Sequence, residues 1–154
     1  MNNGNVKNKK GQTNMKDNLG LGVIINMLGG NAETVDAVNK CVNQTITSLK
    51  VEKDELVIAF ANNTKLILWD DGQSCCEYRY MVCDDKQDLQ QFVGATLVGF
   101  EIKEAPELPL EYGAHEVQFL DVKTSKGVFQ CATHNEHNGY YGGFYVKAKT
   151  RIIK

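Results

Sequence analysis

Residues 133–144 hold the side chains of this chain that are best suited to bind a ligand. The segment reads Thr-His-Asn-Glu-His-Asn-Gly-Tyr-Tyr-Gly-Gly-Phe and contains no lysine or arginine. Imidazole and carboxamide groups form directional hydrogen bonds, tyrosine rings stack on flat molecules, and glycine lets a ligand approach the backbone. This combination predicts a binding site for a flat polar molecule. The predicted contacts are His134, Asn135, His137, Asn138, Tyr140 and Tyr141.

The same segment has a structural interpretation as a hairpin loop. Asn138-Gly139 is a strong signal for a tight turn, and Gly142-Gly143 would form a bulge that redirects the next strand. The turn explains the glycines but not the gathering of histidines and tyrosines. Both interpretations place the segment in a loop on a sheet, where binding residues are common. His115, from the polar and aromatic stretch 111–116, is predicted to contribute to the pocket wall.

A metal site is an alternative use of these histidines. Cys131, His134 and His137 have the spacing C-x2-H-x2-H, and zinc binds cysteine and histidine, usually with four ligands in a tetrahedron. The spacing matches no common zinc module. Buried free thiols and loop histidines are therefore the favoured interpretation, and no cofactor is expected.

Signals for catalysis are weak. Cys131 with His134, or Cys75 with His115, would make a nucleophile and a base, but five cysteines and three histidines make chance pairs easy. The nucleophile elbow, the phosphate-binding loop and the dinucleotide fingerprint are absent from the sequence. A non-enzymatic protein is favoured over a metal-dependent or Cys/His hydrolase.

Few arginines are available for bidentate contacts to a phosphate group. The chain has two arginines, Arg79 and Arg151. Glu77 lies two residues before Arg79 and shares its strand face, so the favoured interpretation is a solvated ion pair of small energetic value. In the alternative, Arg79 contacts the phosphate, or lysines near Lys147 and Lys149 do.

Composition excludes several classes of protein. The chain has 154 residues, the size of one domain, and a formal net charge of -2. A duplex nucleic-acid binder would show a strip of lysine and arginine, and no apolar run approaches the roughly 18–20 residues of a membrane span. The odd number of cysteines lacks the spacing of a disulfide framework, which predicts a reduced, cytoplasmic protein.

The apolar pattern predicts an α+β fold, a mostly antiparallel sheet of about seven strands with two short N-terminal helices and one helix inserted near 85–93. Residues 1–16 are predicted to be a disordered tail. Residues 17–43 form a helical arm and 44–154 the β-rich domain. Within the arm, one helix is expected near 15–28 and a second after a capping asparagine, Asn31.

Turn residues separate the predicted strands. An aspartate at 84 or 85 is expected to cap the inserted helix, which Gly94 ends. The three tight connections are expected at Lys53-Asp54, Asn62-Asn63 and Asp71-Gly72. The predicted strands comprise residues 46–52, 55–61, 65–70, 75–83, 95–103, 115–123, 128–133 and 144–153.

Five motifs carry a family resemblance. They are DGxxCCE at 71–77, FVGA at 92–95, YGAHEVQFL at 112–120, TSKG at 124–127 and HNEHNGYYGGF at 134–144. Together they resemble a domain family of unknown function found mainly in phage, prophage and bacterial genomes. The resemblance covers roughly residues 45–150 and implies no activity or residue role.

Size and element order are also similar to those of small phage proteins that sequester cyclic nucleotide immune signals, such as the anti-Thoeris proteins. Those proteins bind without cleaving and form oligomers. The leading hypothesis is therefore a non-enzymatic, homo-oligomeric protein of phage anti-defence that captures a small nucleotide-like ligand. The other hypotheses are the hydrolase and a protein-interaction module that uses a sheet edge and the N-terminal arm.

Overall fold

The computed structural model describes residues 31–72, 76–83, 87–104, 113–138 and 143–153. Within them the chain forms eight strands in two antiparallel sheets. This confirms the predicted α+β, mostly antiparallel fold, although the number of strands is eight rather than about seven. The predicted tail and first helix lie outside the described residues. The elements are α1 (Ala32–Cys41), β1 (Ile46–Glu52), β2 (Glu55–Phe60), β3 (Thr64–Asp70), β4 (Glu77–Cys83), a 3-10 helix (Leu89–Phe92), β5 (Leu97–Glu104), β6 (Ala114–Thr124), β7 (Gly127–His137) and β8 (Val146–Ile152).

The first sheet has the strand order β1-β2-β3-β8, and the second has the order β4-β7-β6-β5. Between their inner faces lies one apolar core, whose fully buried aromatic side chains include Phe60 from the first sheet and Phe100 and Phe129 from the second. Burial of each such side chain contributes roughly 1.5–3 kcal/mol. The sheets meet at one corner, where the Ile46 amide donates to the Ala95 carbonyl over 2.8 Å.

Two of the three predicted tight turns are confirmed. Lys53 and Asp54 both have positive φ, 51° and 62°, as a two-residue turn between β1 and β2 requires. Asn63, with φ 64°, ends the connection between β2 and β3. The predicted hairpin at Asp71-Gly72 is wrong. Because β2 and β8 already occupy both edges of β3, the chain passes there to the second sheet.

The helix α1 begins after Asn31 as predicted, and the Asn31 side chain accepts a hydrogen bond from the Thr34 amide over 2.9 Å. Its buried residues are Thr34, Ala37, Val38 and Cys41. The Thr34 hydroxyl accepts a hydrogen bond of 3.2 Å from the Ala148 amide on β8. The helix therefore covers the edge of β8 that β3 does not occupy.

The inserted helix is shorter than predicted. A single 3-10 turn, Leu89–Phe92, is capped by Asp88, whose side chain accepts from the Gln90 amide over 3.1 Å. The expected caps at 84 and 85 lie outside the described residues. Gly94 has φ 94° and follows the turn, which confirms it as the end of this segment.

A disulfide links Cys83 on β4 to Cys131 on β7, directly opposite each other in the sheet. This corrects the prediction of free thiols for Cys131. The spacing along the chain gave no sign of the pair because 48 residues separate the two cysteines. Cys41 is a buried thiol in the core, and burial raises its pKa to about 11.

Candidate functional site

The strand β7 contains three of the predicted ligand contacts, His134, Asn135 and His137. It extends to His137 and pairs with β4 on one side and β6 on the other. His134, Asn135 and His137 are therefore strand residues, and the predicted loop starts later than expected. Asn138 directly follows the strand. Tyr140 and Tyr141 lie outside the described residues.

Alternation along β7 separates the predicted contacts, since successive side chains of a strand point to opposite faces. Asn135 is fully buried on the inner face, and His137 shares that face. His134 lies on the outer face beside Tyr80 and His115. The proposed metal triad of Cys131, His134 and His137 is wrong, because His134 faces away from the other two and Cys131 is in the disulfide.

Arg79 lies at the centre of a buried polar network on the inner face, here called the inner network. Its Nη1 donates to both carboxylate oxygens of Asp70 over 3.0 Å and to the Gly143 carbonyl over 2.9 Å. Its Nη2 donates to Glu77 over 2.6 Å. The side chains of Arg79, Asp70 and Glu77 are only 3%, 4% and 1% exposed. The prediction of a solvated ion pair is therefore wrong.

Asn135 extends the inner network to the backbone before β8. Its Nδ2 donates to Glu77 over 3.1 Å and to the Gly143 carbonyl over 3.2 Å. Glu116 accepts from the Gly143 amide over 2.9 Å and lies 3.1 Å from His137 Nε2. These groups bind one another, so the network joins the two sheets.

The guanidinium of Arg79 remains charged in this environment. Burial alone would lower the pKa of Arg79, but the hydrogen bond to Glu77 and the charge of Asp70 outweigh it and raise that pKa. The Tyr145 ring lies 5.4 Å from the guanidinium carbon. A side chain at Gly72 would meet Arg79 at 2.8 Å. These contacts hold the Arg79 guanidinium within the inner network.

Five residues on the outer face of the second sheet form what we call the histidine face: Tyr78, Tyr80, His115, His134 and Glu136. His115 Nε2 and His134 Nδ1 are 2.9 Å apart. The Tyr80 ring stacks on His134, with centroids 4.6 Å apart and planes 4° apart. The Tyr80 hydroxyl donates to Glu136 over 2.6 Å.

The environment of the histidine face shifts two pKa values. Burial first, and His115 second, lower the pKa of His134 below its usual value. Burial and the hydrogen bond to Glu136 raise the pKa of Tyr80 to about 12. Because Tyr80 and His134 stack on each other, those two ring faces are occupied. The histidine face therefore presents nitrogen and oxygen atoms to a ligand more readily than it presents a ring for stacking.

A groove between α1 and β8, here called the α1–β8 groove, has a volume of about 460 Å³. Trp69 and three lysines line it together with two acidic residues of α1. Lys149 Nζ lies 4.9 Å from the centroid of the Trp69 ring. The charged residues along the groove are Glu33, Asp36, Lys40, Lys147 and Lys149.

Asp71 binds two of the residues that line this groove. It accepts hydrogen bonds from Trp69 Nε1 over 3.1 Å and from Lys147 Nζ over 2.9 Å. The hydrogen bond from Lys147, followed by that from Trp69, lowers the pKa of Asp71. The sequence had indicated Lys147 and Lys149 as phosphate contacts, but it gave no reason to group them with Trp69 or Lys40. A signal was present in the alternation of lysines along β8.

A second cavity of about 410 Å³ lies between the β1–β2 turn and the end of β4, and none of the described residues that line it is aromatic. Among the described residues, no group of three His, Cys, Asp or Glu side chains converges on a metal position. No helix in that part of the chain is long and apolar enough to cross a membrane.

A family model for a domain of unknown function, DUF7448, matches residues 39–146. The chain belongs to the DUF7448 family. The DUF7448 match includes the inner network and the histidine face, and it ends at the first residue of β8. Comparison with curated proteins and with solved structures gave no match.

Proposed function

We propose that this DUF7448 protein binds a small, anionic, ring-bearing ligand of nucleotide type in the α1–β8 groove, without chemical turnover. The observation that supports this most directly is the meeting of one indole ring and three ammonium groups on one concave surface. Its volume of about 460 Å³ falls within the roughly 300–1,000 Å³ of small-molecule sites.

Trp69 provides the contact for a ring. Lys149 Nζ lies over the Trp69 ring at 4.9 Å, so this ammonium group already occupies the position that the ring of a ligand would take. A nucleobase that displaces this ammonium gains an aromatic stack worth roughly 1–3 kcal/mol per base. The displaced Lys149 is then free to approach the ligand's phosphate.

Lys147 and Lys40 supply further positive charge. Lys147 is partly exposed and pairs with Asp71 over 2.9 Å, and Lys40 lies on the groove side of α1. Glu33 and Asp36 on the same helix accept hydrogen bonds, which suits ribose hydroxyls or base amino groups. The combination of ring, cations and acceptors corresponds to the base, phosphate and sugar of a nucleotide.

The chemistry of the lining favours binding over conversion. The described residues that line the groove include two hydroxyl groups, those of Thr34 and Thr150, but no histidine or cysteine. The Thr34 hydroxyl accepts a hydrogen bond from the Ala148 amide. Nucleophilic catalysis needs a nucleophile beside a base. In the phage setting implied by the sequence resemblance, such a protein would sequester a nucleotide signal in the cytoplasm of the host. The predicted homo-oligomer stays a prediction.

Isothermal titration calorimetry tests the proposal with cyclic dinucleotides, cyclic trinucleotides, ADP-ribose and inorganic phosphate as probes. We expect one of the nucleotides to bind, and Trp69→Leu and Lys149→Gln each to weaken binding at least tenfold, which corresponds to about 1.4 kcal/mol. Lys123→Gln is the matched control, because Lys123 pairs with Glu101 on the other sheet and its loss should leave affinity unchanged.

The ligand recovered after denaturation should be chemically intact by chromatography. Absence of binding across the whole panel would overturn the proposal, and so would equal affinity in the wild type and the two groove variants. Recovery of a converted ligand would show turnover and would favour the hydrolase hypothesis instead.

A further inference from the structure

We propose that Cys83 is a thiol-exchange site, at which a small thiol of the glutathione type opens the Cys83–Cys131 disulfide and forms a mixed disulfide with the protein. The site lies in the second cavity, and none of the described residues that line this cavity belongs to the α1–β8 groove. Cys83 is the residue that the small thiol attacks, and Cys131 is the residue that closes the disulfide again.

The two sulfur atoms differ in their access to a small thiol. Cys131 is only 1% exposed and lies in the apolar core. Cys83 is half-buried at the end of β4, an outer strand of its sheet, and it lines the second cavity. The rate of thiol–disulfide exchange depends on which sulfur the attacking thiol can reach. A small thiol that enters the cavity therefore reaches Cys83 before it reaches Cys131.

The second cavity suits a small peptide thiol in both size and lining. Its volume of about 410 Å³ falls within the roughly 300–1,000 Å³ of small-molecule sites. Met81 and Leu89 contribute apolar surface beside Cys83. Lys53 and Asp54, from the β1–β2 turn, add charges of both signs. A peptide thiol such as glutathione carries ammonium and carboxylate groups, which complement these charges.

The exchange consists of two displacements, and the small thiol is the reductant. Its thiolate attacks Cys83 Sγ, the sulfur–sulfur bond breaks, and the electron pair goes to Cys131 Sγ, which takes up the proton that the small thiol released. A second small thiol then attacks the sulfur of the first and releases Cys83 as a thiol. The small thiol is oxidised to its own disulfide, and the protein retains two thiols.

Strand pairing keeps Cys131 in position to reverse the reaction. The Cα atoms of Cys83 and Cys131 lie 4.4 Å apart, directly opposite each other on β4 and β7. Gln87 holds β7 next to this pair without help from the disulfide. Its Nε2 donates to the Gln130 carbonyl over 2.8 Å, and its Oε1 accepts from the Gln130 amide over 2.9 Å. A thiol held in this way has a high effective concentration, so the disulfide forms again when the small thiol is diluted.

Two matched variants of the full-length protein test which sulfur is attacked. Cys131→Ser and Cys83→Ser are each made together with Cys75→Ser and Cys76→Ser, which remove the two cysteines before β4. The folded proteins are incubated with oxidised glutathione and followed by mass spectrometry. We expect Cys131→Ser to take up one glutathione per chain at least about tenfold faster than Cys83→Ser, because the reactivity of a cysteine follows its exposure.

Reduced glutathione added to the protein with all of its native cysteines gives a second measurement. Peptide mapping should find glutathione on Cys83 and not on Cys131, and removal of the reagent should restore the disulfide. Cys41 is the internal control, because burial in the core raises its pKa to about 11. It should stay unmodified as long as the protein is folded.

Equal rates in the two matched variants would overturn the proposal. A glutathione adduct on Cys131 of the wild type, or a disulfide that reduced glutathione leaves intact, would overturn it as well. Circular dichroism checks the fold of each variant. Where modification of Cys41 shows that a variant is unfolded, the adduct found on the wild type decides.

Discussion

Replacement of Arg79 by methionine should destabilise the protein severely. Arg79 donates at least five hydrogen bonds to Asp70, Glu77 and Gly143, and both carboxylates are at least 96% buried at the side chain. Methionine fills a similar volume but leaves two buried negative charges without a cation. Removal of one partner from a buried ion pair costs roughly 3–5 kcal/mol.

This loss is large compared with the roughly 5–15 kcal/mol that stabilise a typical domain. With about 2–4 °C per kcal/mol for a chain of this size, the Tm should fall by roughly 6–20 °C. Urea denaturation followed by circular dichroism measures the free energy of unfolding directly. Arg151→Met is the control, because Arg151 is exposed and its loss should change stability by no more than about 0.5 kcal/mol.

An additional variant separates lost charge compensation from lost packing. Arg79→Met combined with Asp70→Asn and Glu77→Gln removes the uncompensated charges and should recover part of the stability. If Arg79→Met cost no more than Arg151→Met, the inner network would not be a buried ionic structure, and the reasoning would be refuted.

Two further predictions concern single contacts. Glu136→Gln should lower the pKa of Tyr80 from about 12 towards the ordinary value of about 10, which ultraviolet absorbance can follow. In the wild type, the contribution of Tyr80 to stability is lost as the pH rises from about 10 through about 12. An unchanged Tyr80 pKa in the variant would contradict the Glu136 contact. Thr34→Val removes the acceptor of the Ala148 amide and should lower the free energy of unfolding, measured by urea denaturation, by about 1–3 kcal/mol. Thr34→Ser keeps the hydroxyl and should lower it less. Equal stability of the wild type and Thr34→Val would exclude a stabilising role for this hydrogen bond.

Local features of the fold could be predicted from the sequence because neighbouring residues determine them. The turn at Lys53-Asp54 needs two residues with positive φ, and the Asn31 cap needs an acceptor three residues before Thr34. The prediction of a hairpin at Asp71-Gly72 was wrong because distant strands determine to which sheet β4 belongs. No residue near Gly72 indicates that β8 already occupies the edge of β3.

The candidate sites depend on the same long-range information. His134 and His137 looked like neighbours, but the extension of β7 between β4 and β6 places them on opposite faces. The spacing of Glu77 and Arg79 correctly indicated an ion pair between them. The burial of this ion pair depends on Asp70, which lies on the other sheet. The groove combines residues of α1 with residues of β8 more than 100 positions later. The alternation of lysines along β8 is a local signal, but it could not reveal which residues of α1 lie opposite them.

Through Gly143 the inner network affects the position of β8 as well as the stability of the protein. Its amide is held by Glu116 and its carbonyl by Arg79 and Asn135, so the second sheet fixes the chain three residues before a strand of the first sheet begins. Any shift at Gly143 would pass along β8 to Lys147 and Lys149. Pairing with β3 places Lys147 directly opposite Trp69, and the anchored Gly143 leads into that pairing. Substitutions in the inner network are therefore expected to alter the groove without contacting it.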